Sequence, residues 1–315
     1  MKIFAKTILL LLGVLLLLNM ALDVGLSCIL NHSQSKLYKE WNAIIHDSID
    51  ADLLVMGSST AWVHYDPHIM DSILSLNSYN LGINASNVKR QIVRVEVYRH
   101  YQKKKPSLLI MNFCCIGNWF LDNGVSREQY FPYLVNPFMR KLIKEQEYFS
   151  KGELYVPMYR YAGASDVVRN AFGEDNSVTR KKECWYKGYY WGMPPEWDGS
   201  KLAEIDTLRF DPNQEVVDRF DSFLSELRKD GINVVFVTSP MYMEATNKIV
   251  NLSEFYDFRN HFSEKYGIPV LDYLCDSLFY DTAYFYNATH LNKTGAELFT
   301  TKLCHDLDSL GILQN

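Results

Sequence analysis

Five short segments of the chain are apolar over most of their length, and longer segments with a helical pattern of apolar positions separate most of them. Short apolar runs of this kind are typical of strands that are buried on both faces of a parallel sheet. The predicted strands are 53–56 (LLVM), 78–83 (SYNLGI), 107–113 (SLLIMNF), 232–237 (INVVFV) and 268–273 (IPVLDY).

The intervening segments predict helices. In the segment 87–102, for example, Val88, Ile92 and Val95 lie on a roughly helical stripe. Strands that alternate with helices predict a three-layer α/β/α sandwich around a central parallel sheet, with ligands bound at the carboxyl ends of the strands. The predicted helices are 35–49, 66–74, 87–102, 213–229, 253–266 and 293–310.

One region interrupts this alternation. From about 116 to 202 the chain is crowded with aromatic and turn residues, as in YFPYLVNPF and ECWYKGYYWGMPPEW. We interpret it as an insertion that lies over the carboxyl edge of the sheet. Its aromatic side chains, Trp185, Tyr190 and Trp191 in particular, could bind a sugar, or they could form a packed cluster of their own.

The N-terminus has the pattern of an export signal. Lys2 and Lys6 precede the apolar run TILLLLGVLLLLNMAL, and no lysine or arginine follows closely. We expect residues 1–28 to be an uncleaved signal anchor, or else a cleaved signal peptide, followed by a helical stalk at 29–50. The domain 51–315 would then lie outside the cytoplasm, membrane-anchored in the first case and secreted in the second.

Composition excludes some functions. The 315 residues carry a formal net charge of −5, which argues against a nucleic-acid groove, because such grooves are usually basic. The six cysteines match neither a small disulfide scaffold nor a zinc motif, so we expect mostly buried thiols. No pattern indicates a metal site or a cofactor.

A serine follows the first predicted strand in the sequence DLLVMGSSTAWVHYDP. Gly57-Ser58-Ser59 could be an ordinary strand-to-helix turn, or it could hold a serine for nucleophilic attack. His290 is expected in the loop before the last helix, at the same rim of the sheet. A serine needs a base to remove its proton, so Ser59 Oγ and a ring nitrogen of His290 should lie within about 4 Å.

Three sequence blocks make the chain resemble the SGNH (GDSL-type) hydrolase superfamily, whose members are α/β/α esterases and acyltransferases. LLVMGSSTA resembles the first block, NLGINAS the second and NATHLNKTGA the last. The resemblance implies that Ser59 is the nucleophile and His290 its base. It also implies that the N–H groups of Ser59 and Ala85 bind the oxyanion of the tetrahedral intermediate.

The chain departs from that family at two places. The third block is replaced by NFCCIGNWF, in which Asn118 is the best candidate for the oxyanion-binding asparagine. Asn287 stands where the family has the aspartate of the triad. An asparagine oxygen can orient the imidazole, but it cannot balance the charge of an imidazolium. A backbone carbonyl or Asp281 could take over part of that role.

Other polar residues near Ser59 are expected to be structural. We interpret Asp66 as a helix N-cap, with Pro67 as the first helical residue. His64 and His68 are expected to be surface or supporting residues, and Ser58 a turn residue.

Together these patterns indicate an exported SGNH-like enzyme that acts on O-acyl groups of an envelope or extracellular glycan. The membrane-anchored members that act as glycan O-acetyltransferases or esterases are the ones it resembles. Hydrolysis and acyl transfer are both open. The alternative is a degenerate member that binds a glycan or a protein without catalysis.

Overall fold

The computed structural model describes residues 1–35, 37–117, 119–120, 127–144, 149–171, 184–194, 196–200, 202 and 207–313. The chain divides into two compact units. The first comprises residues 1–47 and 123–180, and the second, which contains the sheet, comprises 48–122 and 181–315. The expected insertion at 116–202 therefore contributes residues to both units.

The first unit is helical in its described part. Its longest helix, α1, runs from Lys2 to Leu30 and is exposed up to Leu22. By length and composition α1 is able to cross a membrane. The shorter helices are α2 (Lys39–His46), α6 (Pro137–Lys144), α7 (Lys151–Tyr155) and α8 (Ser165–Ala171), with 3₁₀ helices at Arg127–Val135 and Tyr159–Tyr161.

Polar side chains join the separate segments of the first unit. Trp41 Nε1 donates to Gln129 Oε1 over 3.0 Å, and the Tyr133 hydroxyl donates to Asn42 Oδ1 over 2.6 Å. All four residues are buried. Within the expected stalk, residues 29–50, the structure contains the eight-residue helix α2, and the buried face of this helix packs inside the unit.

The second unit is built on a five-stranded parallel sheet. Its strands are β1 (Leu53–Met56), β2 (Ser78–Asn80), β3 (Leu108–Asn112), β6 (Asn233–Thr238) and β7 (Val270–Asp272), in the order β2-β1-β3-β6-β7. All neighbouring pairs are parallel. The central strands β1 and β3 are buried along their whole length, as their continuous apolar sequences predict.

Helices lie on both faces of this sheet, so the predicted three-layer architecture is confirmed. The helices of the second unit are α3 (Ser59–His64), α4 (Pro67–Leu74), α5 (Val88–Tyr101), α9 (Gln214–Lys229), α10 (Met243–Thr246), α11 (Leu252–Tyr266) and α12 (Lys293–Ser309). One group, α5, α9 and α11, packs together, and a second group, α3, α4 and α12, does the same.

Helix starts follow the capping residues in the sequence. Asp66 accepts a hydrogen bond from the N–H of His68, and Pro67 is the first residue of α4, as predicted. Asn87 caps α5 and Asn292 caps α12 in the same way. These caps fix where each helix leaves the loops at the carboxyl edge of the sheet.

Two antiparallel hairpins complete the second unit. The first pairs β4 (Trp185–Tyr186) with β5 (Tyr189–Tyr190), and the second pairs β8 (Phe285–Asn287) with β9 (His290–Leu291). The sequence had suggested that His290 lies in an open loop, but it lies on the short strand β9. Short 3₁₀ helices at Ser277–Phe279 and Thr282–Tyr284 lead into the second hairpin.

Candidate active site

A glycine shapes the turn that carries Ser59. Gly57 follows β1 directly, and a Cβ atom there would lie 2.5 Å from Ala61 Cβ and 2.9 Å from Asn112 Cβ. Only glycine lets α3 begin this close to β3. Ser58 occupies the N-cap position and Ser59 is the first residue of α3. The turn therefore places Ser59 at the carboxyl end of β1, between β2 and β3, where the strand order reverses direction.

The fold brings Ser59 and His290 together across 231 residues of sequence. Ser59 Oγ lies 2.7 Å from His290 Nε2, well inside the 4 Å that the sequence argument required. The hairpin β8–β9 carries the histidine, and α3 carries the serine. This is the geometry in which an imidazole accepts the proton of a serine hydroxyl.

Asn287 fixes the tautomer of His290. The Thr289 N–H donates to Asn287 Oδ1 over 3.0 Å, so the oxygen of this amide must face the hairpin turn. The same oxygen lies 2.9 Å from His290 Nδ1, which therefore carries the proton and donates it. Nε2 is then unprotonated and accepts the hydrogen bond from Ser59. The Thr289 hydroxyl, 2.9 Å from Nδ1, lies beside this contact.

Burial keeps the imidazole neutral. It lowers the pKa of His290 to about 4, and no carboxylate in the described part of the chain offsets that effect. Asp281, the alternative partner named from the sequence, accepts from the N–H of Ala283 and so caps a 3₁₀ helix. At neutral pH the resting site thus contains a serine, an uncharged imidazole and an uncharged amide.

The N–H groups of Ser59 and Ala85 are the predicted oxyanion donors, and neither is engaged in a hydrogen bond among the described residues. Ser59 has no intrahelical partner for its N–H, because it is the first residue of α3. Ala85 has a φ of 53°, a left-handed conformation that favours glycine, and no acceptor for its N–H occurs among the described residues. Both residues line the same cavity. Asn118, the third candidate donor, lies outside the described residues.

The cavity beside these groups has a volume of about 280 Å³. The loops after all five strands of the sheet form it together with the β8–β9 turn. Its wall is largely apolar on the side of Ile116, Phe120 and Met241. The lining residues are Ser58, Ser59, Thr60, Ala85, Ser86, Cys114, Cys115, Ile116, Gly117, Phe120, Thr238, Ser239, Pro240, Met241, Leu274, Thr289 and His290.

Sequence reasoning did not identify the support behind Ser59. The Tyr65 hydroxyl donates to Asn112 Oδ1 over 2.8 Å, and Asn112 Nδ2 donates to Thr60 Oγ1 over 2.6 Å. Thr60 Oγ1 also lies 3.4 Å from Ser58 Oγ, so these contacts hold the serine turn against β3. The sequence signal that could have revealed these hydrogen bonds is Asn112, which ends β3, the strand next to the one that leads into the serine turn.

His64 supports the backbone of β9. It is fully buried, and its Nε2 accepts the N–H of Leu291 over 2.9 Å. Burial lowers its pKa well below the ordinary value, and the nearby His290 acts in the same direction. The expectation that His64 could be a surface residue is wrong, because α12 covers α3. His68 does reach the surface, where its ring stacks on Tyr186.

The cysteines at the end of β3 belong to the cavity wall. Cys115 is buried and Cys114 is partly buried. The expectation of mostly buried thiols is wrong, because only Cys115 and Cys304 of the six are buried. A hydrogen bond with Cys115 lowers the pKa of the Cys114 thiol. The cysteines are all free, and the described residues contain no group of three or more side chains that could hold a metal ion.

The aromatic hairpin lies beside α3. Tyr190 stacks on Trp62 with ring centres 4.8 Å apart, and Trp185 packs against both rings. Trp191 meets the edge of His68. None of the three predicted sugar-binding residues is among the described residues that line the cavity. The link to the site is Tyr286, which packs against this cluster and stacks on His290 at 5.3 Å.

No protein-family model matches the chain, and no curated protein matches it either. One solved structure with a similar fold is described as a lipolytic protein of the G-D-S-L family from Desulfitobacterium hafniense DCB-2. It has a TM-score of 0.40 and 12% identity, and the match covers 80% of this chain and 97% of that one.

A second solved structure is described as an acylhydrolase from Bacteroides fragilis NCTC 9343. Its TM-score is 0.36 and its identity 12%, over 81% of this chain and 86% of that one. Likenesses this distant assign no activity. The function must therefore be argued from the chemistry of the site.

Proposed function

We propose that this protein is an SGNH-like ester hydrolase or O-acyltransferase with a Ser59–His290–Asn287 site. The observation that carries the proposal is the hydrogen-bonded series Ser59 Oγ, His290 Nε2, His290 Nδ1 and Asn287 Oδ1, with contacts of 2.7 and 2.9 Å. A serine made nucleophilic by an oriented imidazole is the arrangement that acyl transfer requires.

In the first half-reaction Ser59 Oγ attacks the carbonyl carbon of the ester while His290 Nε2 takes the serine proton. The negative charge on the carbonyl oxygen is bound by the N–H groups of Ser59 and Ala85, each worth roughly 3 kcal/mol in comparable sites. The C–O bond to the alcohol then breaks, and His290 returns the proton to the departing oxygen. The acyl group is now bonded to Ser59.

The second half-reaction releases the acyl group. Water or an acceptor hydroxyl gives its proton to His290 and attacks the acyl carbon, and Ser59 leaves with that proton. Water as the acceptor makes the protein an esterase, whereas a sugar hydroxyl makes it a transferase. Neither step consumes a cofactor.

The substrate that we propose is an acylated carbohydrate of the envelope or the extracellular space. The apolar α1 supports this, because an enzyme held at a membrane meets envelope polymers there. In this proposal α1 anchors the chain with its catalytic domain outside the cytoplasm, or directs secretion if it is cleaved. Trp185 and Trp191, both partly exposed, are proposed as the aromatic surface for sugar rings, whereas Tyr190 is buried against Trp62 and would only support them.

Labelling with a fluorophosphonate tests the nucleophile directly, since the probe reacts with serines that a base activates. The full chain should be labelled once, at Ser59, and should hydrolyse p-nitrophenyl acetate or acetylated glycans. Ser59→Ala should lose both reactions, whereas Ser58→Ala should retain them. Adding a glycan acceptor and measuring transferred acyl groups separates transferase from esterase.

A non-catalytic glycan- or protein-binding role is the second candidate, and Asn287 favours it. An uncharged partner leaves the imidazolium without compensation, as in a serine protease in which the equivalent Asp→Asn change lowers turnover roughly 10⁴-fold. If the folded chain fails to react with fluorophosphonate and Asn287→Asp is equally inert, the catalytic proposal fails, and binding of acetylated glycans to the chain then tests the second function.

A further inference from the structure

Asp23 interrupts the exposed surface of α1. Every residue from Met1 to Leu22 is exposed, and Asp23 is the first buried one. Residues 3–22 form a helical stretch of roughly 30 Å, which matches the hydrocarbon core of a bilayer. If α1 spans a membrane, as proposed above, the boundary of the bilayer lies close to Asp23.

A buried ion pair near the expected bilayer boundary joins α1 to the segment around Arg160 of the same unit. Arg160 Nη2 lies 2.7 Å from Asp23 Oδ2, and both side chains are buried. The N–H of Met158 donates to Asp23 Oδ1 over 3.0 Å, and Ser27 shares a hydrogen bond of 2.8 Å with Tyr161. The chain around 155–161 is therefore held against α1 where the helix would leave the membrane.

Exposed apolar residues are concentrated in that same segment. Outside α1, the large apolar side chains that are exposed among the described residues of the first unit are Tyr155 (54%), Val156 (49%) and Tyr159 (55%). Tyr155 and Val156 line a shallow groove with Met20 and Val24 of α1. Burying this patch would remove an apolar surface that otherwise faces water next to the helix.

Basic side chains accompany the patch. The guanidinium of Arg140 lies 5.5 Å from the ring centre of Tyr155. Lys144 follows Arg140 by one helical turn on α6, and Lys151 precedes Tyr155 by one turn on α7. Tyrosines with a polar end, together with nearby cations, are the residues that suit the headgroup region of a bilayer.

We propose that the segment Tyr155–Tyr159 docks on the lipid headgroups beside α1 and holds the first unit against the membrane. This inference rests on the proposed membrane anchoring, but it concerns a different surface. A bilayer fits better than a protein partner, because the patch lies beside Asp23, the first buried residue of α1, where the exposed and mostly apolar stretch 3–22 ends.

The full chain, reconstituted in vesicles of phosphatidylcholine and phosphatidylglycerol, allows a direct test. One added cysteine carrying an environment-sensitive fluorophore is placed in turn by Tyr159→Cys, Leu11→Cys and Gln34→Cys in a Cys28→Ser/Cys275→Ser background, since these two native thiols are exposed. The background protein without an added cysteine provides the blank. Spin-labelled lipids then quench any fluorophore that contacts the bilayer.

We expect the label at residue 159 to be quenched by shallow spin labels roughly threefold more than the label at residue 34, an exposed position of the same unit beyond the C-terminal end of α1. The label at residue 11 should be quenched by deep spin labels. Equal quenching at 159 and 34 with a quenched label at 11 would overturn the docking and leave the anchoring intact. An unquenched Leu11 label would refute the anchoring itself. Quenching of the label at residue 159 that falls as the protein-to-lipid ratio rises would also overturn the proposal, because it indicates that another copy of the chain covers this residue.

Discussion

Replacing Asn287 with aspartate changes the charge of the site and little of its shape. The Thr289 N–H and hydroxyl, which now lie 3.0 and 3.3 Å from Asn287 Oδ1, can donate to a carboxylate equally well. His290 Nδ1, 2.9 Å from the same oxygen, also keeps its acceptor. Asn287→Asp therefore tests whether this site lacks only a negative charge.

The size of the effect follows from electrostatics. Opposite unit charges about 4 Å apart attract by about 4 kcal/mol at an effective dielectric constant of 20. Observed shifts for such pairs are about 1–3 pKa units, since desolvation of the carboxylate offsets part of the attraction. The pKa of His290, which burial lowers to about 4, should therefore rise to between about 5 and 7.

The same stabilisation should increase turnover. If the transition state carries an imidazolium, about 1.4–4 kcal/mol of added stabilisation raises kcat by about 10- to 10³-fold. We would measure kcat/KM for a p-nitrophenyl ester from about pH 4 to 9, reading nitrophenol at its isosbestic wavelength. The acidic limb of the profile should move upwards by about 1–3 pH units in Asn287→Asp, with the pKa of His290.

Two controls accompany this comparison. Asn287→Leu removes the acceptor of Nδ1 without adding charge, so its kcat should fall below that of the wild type. The double variant Ser59→Ala/Asn287→Asp should be inactive, which excludes a contaminating esterase. An unchanged acidic limb and an unchanged kcat in Asn287→Asp would refute the reasoning, because they would show that this position does not control the protonation of His290.

Three further predictions concern stability and positioning. Burial lowers the pKa of both His290 and His64, so below about pH 6.5 the unfolded chain binds more protons than the folded chain. The free energy of unfolding in urea should therefore fall between pH 7.5 and 4.5, by up to about 3 kcal/mol for His290 alone. In His290→Asn this fall should be smaller. Gly57→Ala should lower stability by about 1–3 kcal/mol because its Cβ would overlap neighbours, whereas Gly13→Ala, whose Cβ meets nothing within 4 Å, should not; equal melting temperatures would contradict this. His64→Leu removes the acceptor of the Leu291 N–H and should lower kcat about tenfold at constant KM, as expected for a displaced imidazole; an unchanged kcat would assign His64 to stability alone.

The sheet could be predicted from the sequence because its central strands are apolar on both faces. The prediction for β1, residues 53–56, agrees with the structure at both ends. The second strand was predicted to extend to Ile83 but ends at Asn80. Asn80 turns its side chain to the carbonyls of Ala61 and Tyr65, and a Cβ at Gly82 would meet the backbone of Trp62 at 2.4 Å. The end of this strand therefore depends on tertiary contacts with α3, and such contacts cannot be read from the local sequence pattern.

The division into units was not foreseeable from periodicity. Residues 123–180 group with the N-terminal helices, although they fall inside the expected insertion. The contacts responsible, such as Trp41 with Gln129 and Asp23 with Arg160, join residues 88 and 137 positions apart. Pairings at such distances depend on the complementarity of single side chains, which hydropathy does not record. Whether the insertion covers the rim near Ser59 stays a prediction.

The candidate site shows which part of a triad a fold can supply without charge. In this protein an amide held by the turn at Thr289 sets the tautomer of His290 and directs Nε2 to Ser59. A carboxylate would do the same and would also stabilise the imidazolium, at the cost of burying a charge in the resting state. Orientation and charge compensation are thus separable functions of residue 287, and the geometry here provides the first alone. Activity in the wild type would mean that orientation, burial and the two N–H donors suffice for ester chemistry, whereas activity only in Asn287→Asp would mean that the fold keeps a complete site except for one charge.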